Sequence, residues 1–307
     1  MAWVKVQDEE VPSQPWLKIR AECPDATVSC RFQHRESSKS RAPSQGAVPY
    51  SNNDGVRIHY EVLGKGPPLL LHVGAGREWD LWKLAGYTRR ITGQRLILID
   101  PRGRGESDRP RTLAAHRMEN YVSDVVCVLD DLQIDSTAFW GHSDGARVGF
   151  VLALKHPNRV NALVAVGGQD EPGEFMKWRA SWAERSRREG MSWLEPMIRS
   201  SYRRVRGEGY PSWYRNKIRN RDPEIFALNL LAWKPWIERW GMYPSIRVPS
   251  LVVAGNREDP TGLVRRIAKL MPKGQSVIIK GQGHMGAFMR SDLSLLRARP
   301  FLLEHQP

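Results

Sequence analysis

The sequence predicts an α/β fold with a mostly parallel central sheet, and three observations carry that expectation. Residues 69–73, 95–99, 137–140, 162–166 and 251–254 are short, continuous apolar runs, each followed by glycine, aspartate or proline, as strands buried on both faces require. Helical patterns at 120–132, 146–156 and 263–271 lie between them. Strand and helix in alternation imply right-handed crossovers that cover both faces of the sheet. The composition, with 41% hydrophobic and 26% charged residues in 307, supports a large core and excludes disorder along the whole chain.

Residues 1–48 mix Ser, Pro, Gln and both signs of charge without periodicity, and 37–46 reads as a linker, so a poorly ordered leader is expected. After the turn Asn53-Asp54-Gly55, residues 56–62 alternate as a half-buried strand, and a hairpin opens the fold. The sheet pattern then runs to Gly168, stops, and resumes near Pro249. Residues 169–248 hold seven of the twelve tryptophans in a helical pattern. They are expected to form an inserted helical cap over the carboxyl edge of the sheet, where ligands bind in open α/β folds. Most of those tryptophans should cement a small helical core, with two or three facing a cavity. The expected organisation is a leader at 1–48, a core of 49–168 and 249–304, and a cap at 169–248.

The net charge is +14, and residues 177–221 hold thirteen Lys and Arg against four Asp and Glu, a local net of +9. Such a run is a solvated outer face, a field that steers anionic substrates, or a polyanion site. Nucleic acid is disfavoured, because no known module appears and the tryptophans follow helical spacing rather than forming a stacking platform on strands. Three cysteines, Cys23, Cys30 and Cys127, give neither a disulfide framework nor a zinc site and fit a reducing compartment. No secretory core and no membrane-spanning apolar run is present in the sequence, so a cytoplasmic protein without a membrane partner is expected.

Gly141-His142-Ser143-Asp144-Gly145 stands between a strand and a helical pattern. In that context G-x-S-x-G forms a strained turn that thrusts the serine hydroxyl out at a helix amino terminus. Serine needs a base, and the base needs an orienting acid. His284, in Gly281-Gln282-Gly283-His284 after the strand-like 276–279, is the expected base. Asp259, just past the strand 251–254, is the expected acid, weighed against Asp170 and Glu258; Glu258 reads as a solvated loop residue. The backbone N–H of Asp144 and that of Gly74, in the loop His72-Val73-Gly74-Ala75-Gly76, are the expected oxyanion donors.

With these residues in place the chain resembles the α/β-hydrolase superfamily, specifically single-domain serine hydrolases with a helical cap, from about residue 52 to 303. The resemblance rests on Asp54-Gly55, the loop His72 to Gly76, the run Asp100-Pro101-Arg102-Gly103-Arg104-Gly105-Glu106-Ser107-Asp108, the elbow at Ser143, Asp259 and Gly283-His284. The chain departs from the pattern at Val73, where members usually carry glycine, and at Asp144, a carboxylate beside the oxyanion site unless it points away or pairs, for example with Arg147. The run 100–108 tempts a phosphate-cradle reading but lacks the Lys-Ser/Thr ending, and the resemblance implies a structural loop. It also implies an α/β-hydrolase fold and a carboxylesterase-like serine hydrolase. The expected reaction is cleavage of a carboxylic ester of a small to medium, partly apolar substrate through an acyl-enzyme, with no metal or organic cofactor.

Lactone opening and carbon–carbon bond hydrolysis use the same triad and stay open. A non-catalytic binding protein and a nucleic-acid binder are the rivals of other classes. Serine at the elbow argues against haloalkane dehalogenases and epoxide hydrolases, which place aspartate there. An arginine facing Ser143 would indicate a carboxylate substrate, and an all-apolar wall a neutral ester.

Overall fold

The computed structural model describes residues 49–168, 174–207, 209–233, 240–259 and 262–306; the expected leader and Asp170 lie outside them. An eight-stranded sheet in the order β1-β2-β4-β3-β5-β6-β7-β8 forms the centre. Its strands are β1 (Tyr50–Asn53), β2 (Val56–Leu63), β3 (Pro68–His72), β4 (Arg95–Ile99), β5 (Thr137–His142), β6 (Val160–Val166), β7 (Ser250–Gly255) and β8 (Gly274–Ile279). The hairpin β1-β2 and the β2-β4 pair are antiparallel, and every other pair is parallel. Asp54 and Gly55 at the hairpin tip both have positive φ, 50° and 84°, the backbone a two-residue turn between twisted strands demands.

Strand period explains why the strand sequences are apolar throughout. Leu69, Leu71, Leu98, Trp140, Val164 and Val253 face one core with Trp82, Tyr87 and Phe288. Their neighbours Leu70, Ile97, Ile99, Phe139, Leu163 and Val252 face a second core on the opposite side. Helices α1 (Asp80–Leu84), α2 (Tyr87–Arg90), α10 (His284–Met289) and α11 (Ser291–His305) contribute to the first core. Helices α3 (Met118–Asp131), α4 (Asp144–Lys155) and α9 (Leu263–Leu270) contribute to the second. Both layers are thus covered, as a parallel sheet requires.

Between β6 and β7 the chain builds α5 (Glu174–Glu189), α6 (Leu194–Arg206), α7 (Ser212–Arg219) and α8 (Pro223–Leu231). Asp222 starts α8 by accepting from the N–H groups of Glu224 and Ile225, with Pro223 in the first turn, a strong initiation signal. Trp233 is fully buried, whereas Trp178, Trp182 and Trp193 are half-buried and stack edge to face in sequence, with ring centroids 4.7 and 5.3 Å apart. Part of the basic run fastens these helices to the rest of the molecule. Arg221 pairs with Glu78 at 2.9 Å, Lys217 with Asp80, and Arg179 with Asp144 at 2.8 Å. Among the described residues no helix is long and apolar enough to cross a membrane.

Candidate active site

Ser143 sits where β5 ends and α4 begins, at φ 56° and ψ −118°, a conformation a non-glycine residue holds only when its surroundings enforce it. Those surroundings are backbone. The Ser143 N–H donates to Val166 O at 2.7 Å. A Cβ on Gly141 would lie 2.3 Å from the Gly145 carbonyl, and one on Gly145 would lie 2.2 Å from His72 O. Strand β3, strand β5 and helix α4 therefore meet with no room for side chains, and the two motif glycines are steric requirements.

The loop His72 to Gly76 closes on the same point. A Cβ on Gly74 would approach Ser143 Cβ to 2.7 Å and Oγ to 3.3 Å, so the Gly74 backbone rests directly against the serine. Val73, the departure from the usual glycine, turns its side chain fully into the core. Arg104, itself buried, donates to Gly74 O at 2.7 Å and to Asn229 Oδ1 at 2.6 Å. Asp100 accepts from the N–H groups of Trp79 and Glu106 and pairs with His59 Nδ1 at 2.8 Å. The run 100–108 thus braces the loop that carries Gly74. Among the described residues no backbone carbonyl takes the N–H of Gly74 or of Asp144.

His284 opens α10, and its Nδ1 meets the carboxylate of Glu258. The structure does not bring Asp259, the expected acid, to His284. The Asp259 carboxylate is occupied by the N–H groups of Leu263 (2.6 Å) and Val264 (3.1 Å), where it caps α9. Both acids leave one tight turn, their N–H groups donating to Gly255 O, and the longer side chain of Glu258 spans the gap to the imidazole. The turn is locked to the His284 loop through Arg257 N to Gln282 O at 2.9 Å and Gly281 N to Asn256 Oδ1 at 2.6 Å. Gly167, at φ 63°, lies beneath the pair; a Cβ there would come 2.9 Å from the His284 ring and 3.1 Å from Glu258 Oε1.

Asp144 is paired, and by more than Arg147. Its Oδ1 accepts from Arg147 at 3.0 Å and from Arg179 at 2.8 Å. Arg179 is itself fully buried, donates to Leu230 O and Asn229 O, and lies 5.0 Å from the Trp233 ring centroid. Burial would raise the Asp144 carboxyl, but Arg179, Arg147 and Arg104 outweigh it and hold it below the usual carboxylate range. A helical wheel carries the missed signal: Arg179, Ala183 and Ser186, spaced four and three apart, are the buried stripe of α5.

Ser143 and His284 line one cavity of about 800 Å³. Trp178, Trp182, Met197 and Ile198 supply an apolar wall, and Arg77, Arg147, Arg204 and Arg257 also face it. His142, stacked on Phe288 at 4.2 Å, is kept neutral chiefly by burial, with the nearby Arg77 and Arg147 charges adding to it.

Comparison with known proteins agrees with this fold. A family model described as the alpha/beta hydrolase fold matches residues 67–290. Among curated proteins, epoxide hydrolase 3 of Siraitia grosvenorii is 32% identical over 121 residues, which are 39% of this chain and 38% of that protein. The match thus spans well under half the length of the relative. Among solved structures, the enol-lactonase from Burkholderia xenovorans LB400 superposes with a TM-score of 0.69 at 23% identity, over 83% of this chain and all of that one. A thermophilic esterase from Thermogutta terrifontis, with malate bound, gives 0.70 at 24% identity, over 85% and 98%. At such identities these two establish the fold.

Proposed function

Because this chain belongs to the α/β-hydrolase family, we propose that it is a serine hydrolase of carboxylic esters, with Ser143 as nucleophile, His284 as base and Glu258 as the orienting acid. The observation that carries this reading is the elbow: Ser143 is held at positive φ with Gly74 against its side chain, in the cavity that His284 lines. Ser143 Oγ attacks the ester carbonyl and gives its proton to His284 Nε2, the nitrogen left free by the Nδ1 contact with Glu258. The N–H groups of Gly74 and Asp144 hold the oxyanion. His284 then protonates the leaving alcohol, and an acyl-enzyme remains. Water, deprotonated by His284, releases the acid and restores Ser143.

The inserted helices act as a cap. A cavity of about 800 Å³ with tryptophan, methionine and isoleucine on one wall suits a small to medium, partly apolar substrate. The relative named epoxide hydrolase favours a second chemistry, epoxide opening. Residue 143 weighs against it, since epoxide hydrolases of this superfamily attack with aspartate. A panel of p-nitrophenyl esters of graded acyl length tests the reading, alongside fluorophosphonate labelling. Ser143→Ala is expected to lose about 10⁴-fold or more in kcat and all labelling; turnover that survives the substitution would overturn it.

A further inference from the structure

Four arginines line the Ser143 cavity, and the sole carboxylate among its lining residues, Glu258, is engaged by His284. Arg147 is held by Asp144. The other three differ. Arg77 stands three residues beyond Gly74, with its N–H on Gly74 O at 3.2 Å. It is only 8% exposed, and its Nη1 has no hydrogen-bond partner. Its neighbour Glu78 is committed to Arg221 through two contacts, 3.1 and 2.9 Å. Arg204, on α6, and Arg257, in the Glu258 turn, are exposed and have no ion-pair partner among the described residues.

A buried guanidinium with an unmade hydrogen bond costs folding free energy. Arg77 is among the residues that line the cavity, where a ligand could complete it. A guanidinium presents donors in a planar fork that matches a carboxylate, whereas the apolar wall of Trp178 and Trp182 receives the hydrocarbon part. Burial lowers the Arg77 pKa, yet an arginine starts so high that it stays cationic. Its charge also contributes to keeping His142, next to Ser143, neutral.

We infer that the substrate of this site carries a carboxylate besides the ester it presents to Ser143, received by Arg77 within the cavity and drawn in by Arg204 and Arg257 at the exposed side. This rests on Ser143 acting as the nucleophile. The test compares p-nitrophenyl pentanoate with mono-p-nitrophenyl glutarate, equal in acyl length and differing in a terminal carboxylate. Each rate is normalised to active sites titrated with a fluorophosphonate. The glutarate ester is expected to be favoured at least tenfold in kcat/KM, as one charge-assisted hydrogen bond supplies, with the preference falling as salt rises. Arg77→Met should reduce that preference at least tenfold, chiefly through KM.

The exposed double variant Arg204→Ala, Arg257→Ala makes the same comparison without disturbing the interior and should reduce the preference several-fold. Free glutarate should also protect Ser143 from labelling at lower concentration than glutaramide. Preference for the neutral ester, or a glutarate preference indifferent to all three arginines, would overturn the inference while Ser143 still labels. A Ser143 that does not label would instead overturn the hydrolase reading and this inference with it.

Discussion

Exchanging the acid beside His284 separates Glu258 from Asp259. Glu258→Gln keeps the side-chain length but removes the charge and places an amide against Nδ1. Glu258 Oε2 is buried without a partner and Oε1 holds the imidazole, so either amide orientation is unfavourable. With the NH₂ toward Nδ1, the imidazole must carry its proton on Nε2 and cannot accept from Ser143. With the oxygen toward Nδ1, the tautomer is right, but the imidazolium formed during attack has lost its counter-charge. Loss of the equivalent acid in a Ser-His-Asp triad costs about 10⁴ in kcat, or about 5 kcal/mol of barrier; a loss of about 10³ to 10⁴ is expected here.

Asp259→Asn leaves one carbonyl oxygen for the N–H groups of Leu263 and Val264 and loses the charge that favours a helix start. Its expected cost is stability, about 1 kcal/mol, with kcat within about threefold of the parent, a change of about 0.7 kcal/mol or less in the barrier. Burst and steady-state rates on a p-nitrophenyl ester, together with urea titration, measure both. If folded Asp259→Asn lost as much activity as Glu258→Gln, or Glu258→Gln kept most of it, the assignment of the acid would be refuted.

Arg179→Met removes one of two cations from the buried Asp144 carboxylate and three hydrogen bonds in all. Breaking a buried pair from one side costs about 3–5 kcal/mol, which should lower Tm by about 10 °C; adding Asp144→Ala should recover part of the loss, and a shift under about 2 °C would contradict the pairing. Burial and the Arg104 charge lower His72 to about 3, and burial lowers His116 to about 4, the Pro110 carbonyl opposing and Arg104 and Arg102 adding to it. Both imidazoles stay neutral in the folded state while the unfolded chain takes up protons below about pH 6.5. Their contribution to stability is therefore full above that pH and falls by about 2 kcal/mol each on acidification to pH 5. Histidine NMR at pH 5 should show both rings neutral; a charged ring at either position would contradict this.

The sheet was legible because strands buried on both faces must be apolar at every position, and the elbow because glycine is required on each side of Ser143. His284 followed from its place beyond the last strand. The carboxylate that meets His284 was not, since adjacent carboxylates in one turn carry no periodic signal, and the choice depends on side-chain length and on which N–H groups lie nearby. Asp259 had a helix to cap; Glu258 had the reach. Arg179 was hidden for a different reason. In a run of thirteen cations it resembles its solvated neighbours, and only its alignment with Ala183 and Ser186 marks the inward face. The dense charge of that segment, read as wet surface or as an attractant for anions, also serves as attachment through Arg179, Lys217 and Arg221.

The bond from Arg179 to Asp144 ties α5 to the residue that follows Ser143. Lifting α5 would break this buried pair and leave each charge without its partner, a cost that opposes its use as a hinged cover. Along the same cavity lie α6, which carries Met197, Ser201 and Arg204, and the turn that carries Arg257 and Glu258, and both Arg204 and Arg257 are exposed. An entrance between them would lead substrate and product past two exposed arginines, and the rates of entry and release would depend on both α6 and that turn.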